Sequence, residues 1–300
     1  MASLSKILEK LTYRRLSLLI LVVTLLPILF PIGLPLPIAE QTINFKKEID
    51  RLPKGSVVAY GVQITGAGAV PESIDMLTVV SKYLAERGLK VVYVGFADVS
   101  PTTVQTTIKR SGVEATYGWK YGEDYVITSY LPGDEPAIAS FAADVQTSVA
   151  TDFSGTPVDK IPLMKVLKTL NDFKLAISYY QSFTYAEMFA RQWGSKYSSV
   201  PWIVVGMLAT VAPYYPTVCR GNLDLNRGMA EFEVIVGMPG LFAARTDARN
   251  TLGFTLLALL VAGNIAYYQT VGFRKRVGVG FERAFFGKEE GSKEKGDGGQ

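Results

Sequence analysis

The chain has 300 residues, a formal net charge of +4, a single cysteine and no histidine. The missing histidine excludes histidine-based triads and the usual zinc sites and removes the commonest general base. One cysteine, Cys219, excludes an intramolecular disulfide. The basic residues gather beside two apolar runs, which argues for a membrane surface and against a nucleic-acid partner.

Leu16 to Ala39 runs for 24 residues without a charge, and Asn250 to Phe273 for another 24. A helix crosses the hydrocarbon core with roughly 20 apolar residues and satisfies its own backbone there, so each run reads as a transmembrane helix. Pro27, Pro31, Pro35 and Pro37 predict that the first helix ends near Phe30 and continues as an extended interfacial stretch. A cleaved signal peptide fits less well than an uncleaved anchor. The apolar region exceeds the usual ~7–15 residues, and Pro37 stands where cleavage before residue 40 would want a small side chain.

The spans divide the chain into a basic N-terminal segment (1–15), an anchor (16–39), a domain (40–249), a second transmembrane helix (250–273), and a basic juxtamembrane segment with a disordered tail (274–300). The mixed-charge, glycine-rich end from Gly287 cannot bury a core. Lys6, Lys10, Arg14 and Arg15 before the first span balance Lys46, Lys47, Arg51 and Lys54 after it. Arg274, Lys275, Arg276 and Arg283 beyond the second outnumber Arg245 and Arg249 before it. The positive-inside rule then places both termini in the cytoplasm and the domain outside the cell membrane.

Within the domain, short β-rich runs alternate with amphipathic helices. Ser56 to Ile64 reads as a buried strand, followed by the small-residue loop Thr65–Ala69 and a helix opened by Pro71, Glu72 and Ser73 and closed by Gly88. Lys90 to Phe96 is a second strand. Ser100 is placed as the cap of the next helix, with Pro101 at its first position. Asp124 to Tyr130 is a third strand, a helix covers roughly Glu135 to Val149, and Phe173 to Tyr179 is a fourth strand before a helix over Tyr185 to Trp193. Val200 to Val211 reads as a fifth strand and Asn222 to Gly237 as a final helix. Such alternation implies an α/β fold, a Rossmann-like parallel sheet covered on both faces, here without a dinucleotide fingerprint. One ambiguity stays open: Ser198 to Cys219 is uncharged for 22 residues, with Trp202 and Tyr214–Tyr215 near its ends, as in a third span with an aromatic belt.

Ligands of an open parallel sheet bind beyond the carboxyl ends of its strands, and four segments are assigned to that edge. Gly66 and Gly68, with Ser73 on the following helix, offer backbone N–H groups to an anion, though such loops are commonly plain turns. Asp98 follows the second strand and reads equally as a solvated or capping residue. Asp152, Ser154 and Thr156 form a hydroxyl-rich loop suited to a phosphate or sugar, with Asp152 a candidate base; the competing reading is an Asx-type turn. Arg220 stands with Asn222, Asn226 and Arg227 after the expected fifth strand, where Cys219 would be partly exposed. Nearby Glu231 and Glu233 face different sides of a helix and form no joint metal site; Glu231 is expected to pair with Arg227. No cofactor or metal is expected.

GEDYV (122–126), TDFSGTPVDKIPLM (151–164), GNLDLNRGMAEFE (221–233) and GNIAYY (263–268) resemble an uncharacterised prokaryotic membrane-protein family with GTPLDEIP-like and GLRGAAEYE-like motifs before a last membrane helix. The resemblance covers most of residues 117 to 268 and departs at Asn226 and Met229. It implies a membrane-anchored α/β architecture, favours the strand reading of Val200 to Val211, and brings no activity with it. The sequence thus leads to a module in the lipid bilayer that binds a small ligand or a partner protein, as a subunit of a membrane assembly or homo-oligomer. The alternative is a membrane-bound hydrolase or transferase acting through the Asp152 loop on a polar head group, glycan or phosphate ester.

Overall fold

The computed structural model describes residues 12–30, 32–64 and 66–271. The basic start of the chain and its charged tail, including the expected disorder there, lie outside those residues. Residues 32–246 form one compact unit, and the described parts of 1–31 and 247–300 form another.

In the larger unit, α2 (Glu40–Asp50) precedes six strands: β1 (Val57–Val62), β2 (Lys90–Gly95), β3 (Tyr125–Tyr130), β4 (Leu175–Tyr179), β5 (Trp202–Val205) and β6 (Cys219–Leu223). All pair in parallel, in the order β3-β2-β1-β4-β5-β6, the order of the doubly wound Rossmann-like sheet. Between them run α3 (Val70–Glu86), α4 (Ser100–Ser111), α5 (Val113–Tyr117), α6 (Asp134–Ala143), α7 (Val145–Ser148), α8 (Phe183–Phe189) and α9 (Leu208–Val211), and α10 (Arg227–Ile235) follows β6.

The period-two alternation of the strands feeds two cores. Val58, Tyr60, Val62, Val91, Tyr93, Leu175 and Ile177 enter the first, with Phe45 of α2, Leu77 and Leu84 of α3 and Phe232 of α10. Ala59, Val92, Val94, Ala176 and Val204 enter the second, with Phe141, Phe189 and Trp193. Gly61 belongs to that second side: a Cβ there would lie 2.8 Å from the Trp193 ring. The ring packs edge-on to Phe189 at 4.9 Å and donates its indole N–H to the Ile138 carbonyl. A large ring therefore sits directly on the strand only because that position carries no side chain.

Several boundaries differ from the sequence expectation, for local reasons. Val99 holds the cap position of α4, so Ser100 is already inside the helix, buried with no partner for its hydroxyl. The helix expected over Glu135 to Val149 breaks at Asp144, which turns extended and accepts Thr147 N–H at 3.0 Å to start α7. β5 is only four residues long, because the apolar run beyond Gly206 turns into α9. A third span over Ser198 to Cys219 is overturned, since β5 pairs with β4 and its four residues are buried. The start of the expected final helix, Asn222 and Leu223, belongs to β6.

In the other unit, α1 (Tyr13–Leu29) ends with Phe30 as its cap, where the prolines predict the helix to stop; residues 32–39, at the start of the larger unit, carry no regular structure. At 17 residues α1 falls short of the roughly 20 needed for a span. α11 (Leu241–Val271) begins nine residues before the expected Asn250. Its stretch Leu241–Tyr267 is the one helix among the described residues long and apolar enough to cross a membrane, with 6% of its apolar window buried. Thr251, Thr255 and Asn264 turn their polar groups to carbonyls one turn back, at 2.7–2.8 Å.

The edge strand β6 is covered by α2, and Gly221 sets that contact: a Cβ there would fall 2.4 Å from Phe45 N and 2.5 Å from Phe45 Cα. Both obstacles are backbone, so relief requires α2 to move. Gly221→Ala is expected to destabilise the domain by about 3 kcal/mol through overpacking. Gly68→Ala, which meets nothing within 4 Å, should stay within about 0.5 kcal/mol. Denaturant unfolding of the two variants side by side checks both, and equal stabilities would contradict the α2–β6 packing.

Candidate functional site

The strand order reverses between β1 and β4: β1 pairs with β2 on one side and β4 on the other, and the next connections run in opposite directions. Past the carboxyl ends of such a pair the two connections part and leave a crevice.

Here the crevice is polar. Ser73, fully buried on the first turn of α3, donates to the Ala69 carbonyl at 2.8 Å and lies 2.8 Å from the Tyr179 hydroxyl at the end of β4. Gln181 Nε2 donates to the same phenol oxygen at 2.8 Å. Since the serine proton goes to Ala69, Tyr179 must donate to Ser73. The chain therefore runs one way, from Gln181 through Tyr179 and Ser73 to Ala69. Burial pushes the Tyr179 phenol well above its usual range and keeps it protonated. Gly66 and Gly68 border this cluster, and a Cβ at either would meet nothing within 4 Å.

Farther along the edge, Tyr185 of α8 hydrogen-bonds Asp134 at the start of α6. Asp134 is the only non-glycine residue among the described ones with a positive φ, 47°. Burial and the Asp134 carboxylate both push the Tyr185 phenol up. Arg191 grips Glu135 with a two-pronged contact at 3.0 and 2.9 Å. This fork holds the Glu135 carboxyl down at about 2.

Of the residues assigned to the edge from sequence, Gly66, Gly68, Ser73 and Asp98 follow the ends of β1 and β2, and Asn222, Asn226 and Arg227 gather at the carboxyl end of β6. Asp98 is exposed and accepts the N–H of Val99 at 2.8 Å, a local turn contact. The others lie elsewhere. Asp152 forms an antiparallel bridge with Thr128 along the outer edge of β3, with Phe153 N–H donating to the Ile127 carbonyl. Only 2% exposed, it accepts the Ser154 and Thr156 N–H groups on Oδ1 at 2.9 and 2.7 Å and the Tyr121 hydroxyl on Oδ2 at 2.7 Å. This is the Asx-type turn, closed by a tyrosine. The exposed side chains of Ser154 and Thr156 converge on no carboxylate, because Asp152 faces inward.

Arg220 is an exposed residue on β6 itself, next to Cys219 at the amino end of the strand, opposite the edge expected. Cys219 is fully buried rather than partly exposed, and burial pushes its thiol up to about 12. The misplacement has one cause: the sequence pattern shows no strand over Cys219–Leu223, so Arg220 falls in the loop after the fifth strand in that reading and at the start of β6 in the structure. The Glu231–Arg227 pair does form, at 2.9 Å. Among the described residues no cluster of histidine, cysteine, aspartate or glutamate has metal-binding proximity. Tyr179, Gln181, Asp134 and Tyr185 were missed from sequence; the Tyr179–Tyr180–Gln181–Ser182 run at the end of an apolar strand was the available signal.

No family model matches this chain, and neither does any curated protein or solved structure.

Asp152→Asn keeps an acceptor for the two N–H groups but turns an amide toward Tyr121. It should cost about 1–3 kcal/mol for the broken bond to a charged group, read as a lower Tm, with the sheet intact by circular dichroism. An unchanged Tm would contradict the structural role of this carboxylate.

Proposed function

We propose that the protein is a membrane-tethered, non-catalytic α/β module that takes a small polar ligand at the β1/β4 crevice and works as a subunit of a membrane assembly. The observation that carries the reading is the one-way hydrogen-bond chain Gln181–Tyr179–Ser73–Ala69 placed at the strand-order reversal. A protonated phenol and a neutral amide beside an open glycine loop suit an uncharged polar group better than a reaction that needs a base. The rival reading, hydrolysis or group transfer through Asp152, is disfavoured by the three hydrogen bonds its carboxylate already accepts.

In this reading the charge-free run from Leu16 is a second anchor, with the irregular stretch after α1 lying in the interface. The domain then stands outside the cytoplasm, as the arginines and lysine at 274–276 favour.

The full chain in detergent micelles would be screened by thermal shift against nucleosides, free sugars and amino acids. A ligand is expected to raise Tm saturably in the natural chain and to lose that effect in Tyr179→Phe and in Gln181→Ala. A shift that persists in both variants would remove the ligand from the crevice.

Sidedness has a separate test. Cys219 is buried and should resist maleimide in the folded protein. Lys120→Cys, at an exposed position, placed in a Cys219→Ala background, should react with a membrane-impermeant maleimide on intact cells. Labelling that appears only after permeabilisation would put the domain inside.

A further inference from the structure

At the other end of the same edge, Asn222 sits one residue before the end of β6. It is 1% exposed, and neither its Nδ2 nor its Oδ1 has a hydrogen-bond partner. An amide held this way costs the fold free energy, because both its donor and its acceptor have lost water. Asn222 lines a cavity of about 150 Å³ between the start of α2, the β5–α9 turn and the start of α10. At about 30 Å³ per water, that space holds roughly five waters or an organic group of similar size.

The neighbours do not complete Asn222, because they complete each other. Glu231, fully buried, receives Arg227 Nε on one oxygen at 2.9 Å, and Thr42 Oγ1 and Ala39 N on the other at 2.6 and 3.0 Å. Arg227 Nη2 reaches the Pro37 carbonyl at 3.3 Å, and Asp224 Oδ1 accepts Leu208 N–H at 2.9 Å. Asn222 is therefore the buried group in this wall left with both a donor and an acceptor unpaired, while the second carboxamide of the lining, Gln41, is half-buried and keeps contact with water.

Charge narrows the ligand. The start of α10 would favour an anion, but two carboxylates, Asp224 and Glu231, face one guanidinium, Arg227, in the same wall. The excess negative charge opposes a phosphate or carboxylate. We propose that this pocket binds an uncharged, planar amide-type group, a small carboxamide or lactam, through a two-point pair with Asn222. In that pair the Asn222 N–H donates to the ligand carbonyl and its carbonyl accepts the ligand N–H, the complementarity by which asparagine reads a base edge. The site is independent of the β1/β4 crevice.

The test uses the full chain in micelles with three probes: propionamide, uracil, and propionate as the charged isostere of the first. Ligand-observed saturation-transfer spectra should show saturable binding of propionamide or uracil, with propionate at least about tenfold weaker. Asn222→Leu should abolish binding without lowering Tm, because it removes both unpaired groups and keeps the volume. Leu208→Trp, at a position already 39% exposed, narrows the pocket from its outer wall and should abolish binding even if the first variant folds poorly. No saturable binding of either amide, binding of propionate as strong as propionamide, or amide binding that survives in a folded Asn222→Leu or in Leu208→Trp would each overturn the proposal. A lower Tm in Asn222→Leu with amide binding absent from the natural chain would overturn it too, as a purely structural asparagine.

Discussion

A parallel strand buried on both faces has no solvent side, so every residue along it must fit one of two cores, and every backbone group must find a neighbouring strand. β1 bears this constraint most heavily. It pairs along its whole length with β2 and through five residues with β4, while Tyr60 feeds one core and Ala59 the other. The space for Trp193 exists because Gly61 vacates it. Placing β4 beside β1 also sends the two following connections apart, and that separation opens the crevice where Ser73 meets Tyr179. The site is in this sense a by-product of strand order.

The same constraint explains which parts of the fold were legible in the sequence. β1, β2, β3 and β4 are short apolar runs bounded by turn residues, and a strand with two buried faces must look like that. β6 does not: it reads Cys-Arg-Gly-Asn-Leu, because it is an edge strand with one flank in solvent and α2 laid against it. Arg220 serves the exposed flank and Gly221 the approach of α2, so each residue that hides the strand from a pattern search has a packing reason to be there. α2 was hidden for the opposite reason. Its buried Thr42, Phe45 and Ile49 recur at helical spacing, but Lys46, Lys47 and Arg51 drew attention as juxtamembrane charge.

The candidate site was legible only in its backbone. Gly66 and Gly68 mark the loop, and Ser73 the helix that follows it. Tyr179 and Gln181, which meet the Ser73 hydroxyl, are more than a hundred residues away in sequence, and nothing local announces a pairing of that range. The Asp152 loop misleads in an instructive way. A carboxylate surrounded by hydroxyls has the composition of a polar binding site, but also that of a turn in which one aspartate collects the N–H groups two and four residues on. Burial decides between the two, and burial follows from the bridge to β3, which the sequence does not display.

Glu231 and Glu233 show the same economy from the opposite direction. Consecutive helical residues advance by roughly 100°, so two carboxylates two positions apart on α10 point to different surroundings, and each is spent on a different segment. Glu231 secures the start of α2 through Thr42 and Ala39. Glu233 reaches the N–H groups of Gly240 and Ala243 at 3.1 and 2.8 Å, at the head of α11, where a helix leaves its first donors unpaired. Burial pushes the Glu233 carboxyl up despite those donors, a sign of how far from water it is held. Gly240 makes the reach possible, since a Cβ there would stand 2.6 Å from the carboxylate. Both N–H groups belong to the same compact unit as Glu233, so the buried acid ties the first turn of α11 to the segment that precedes it.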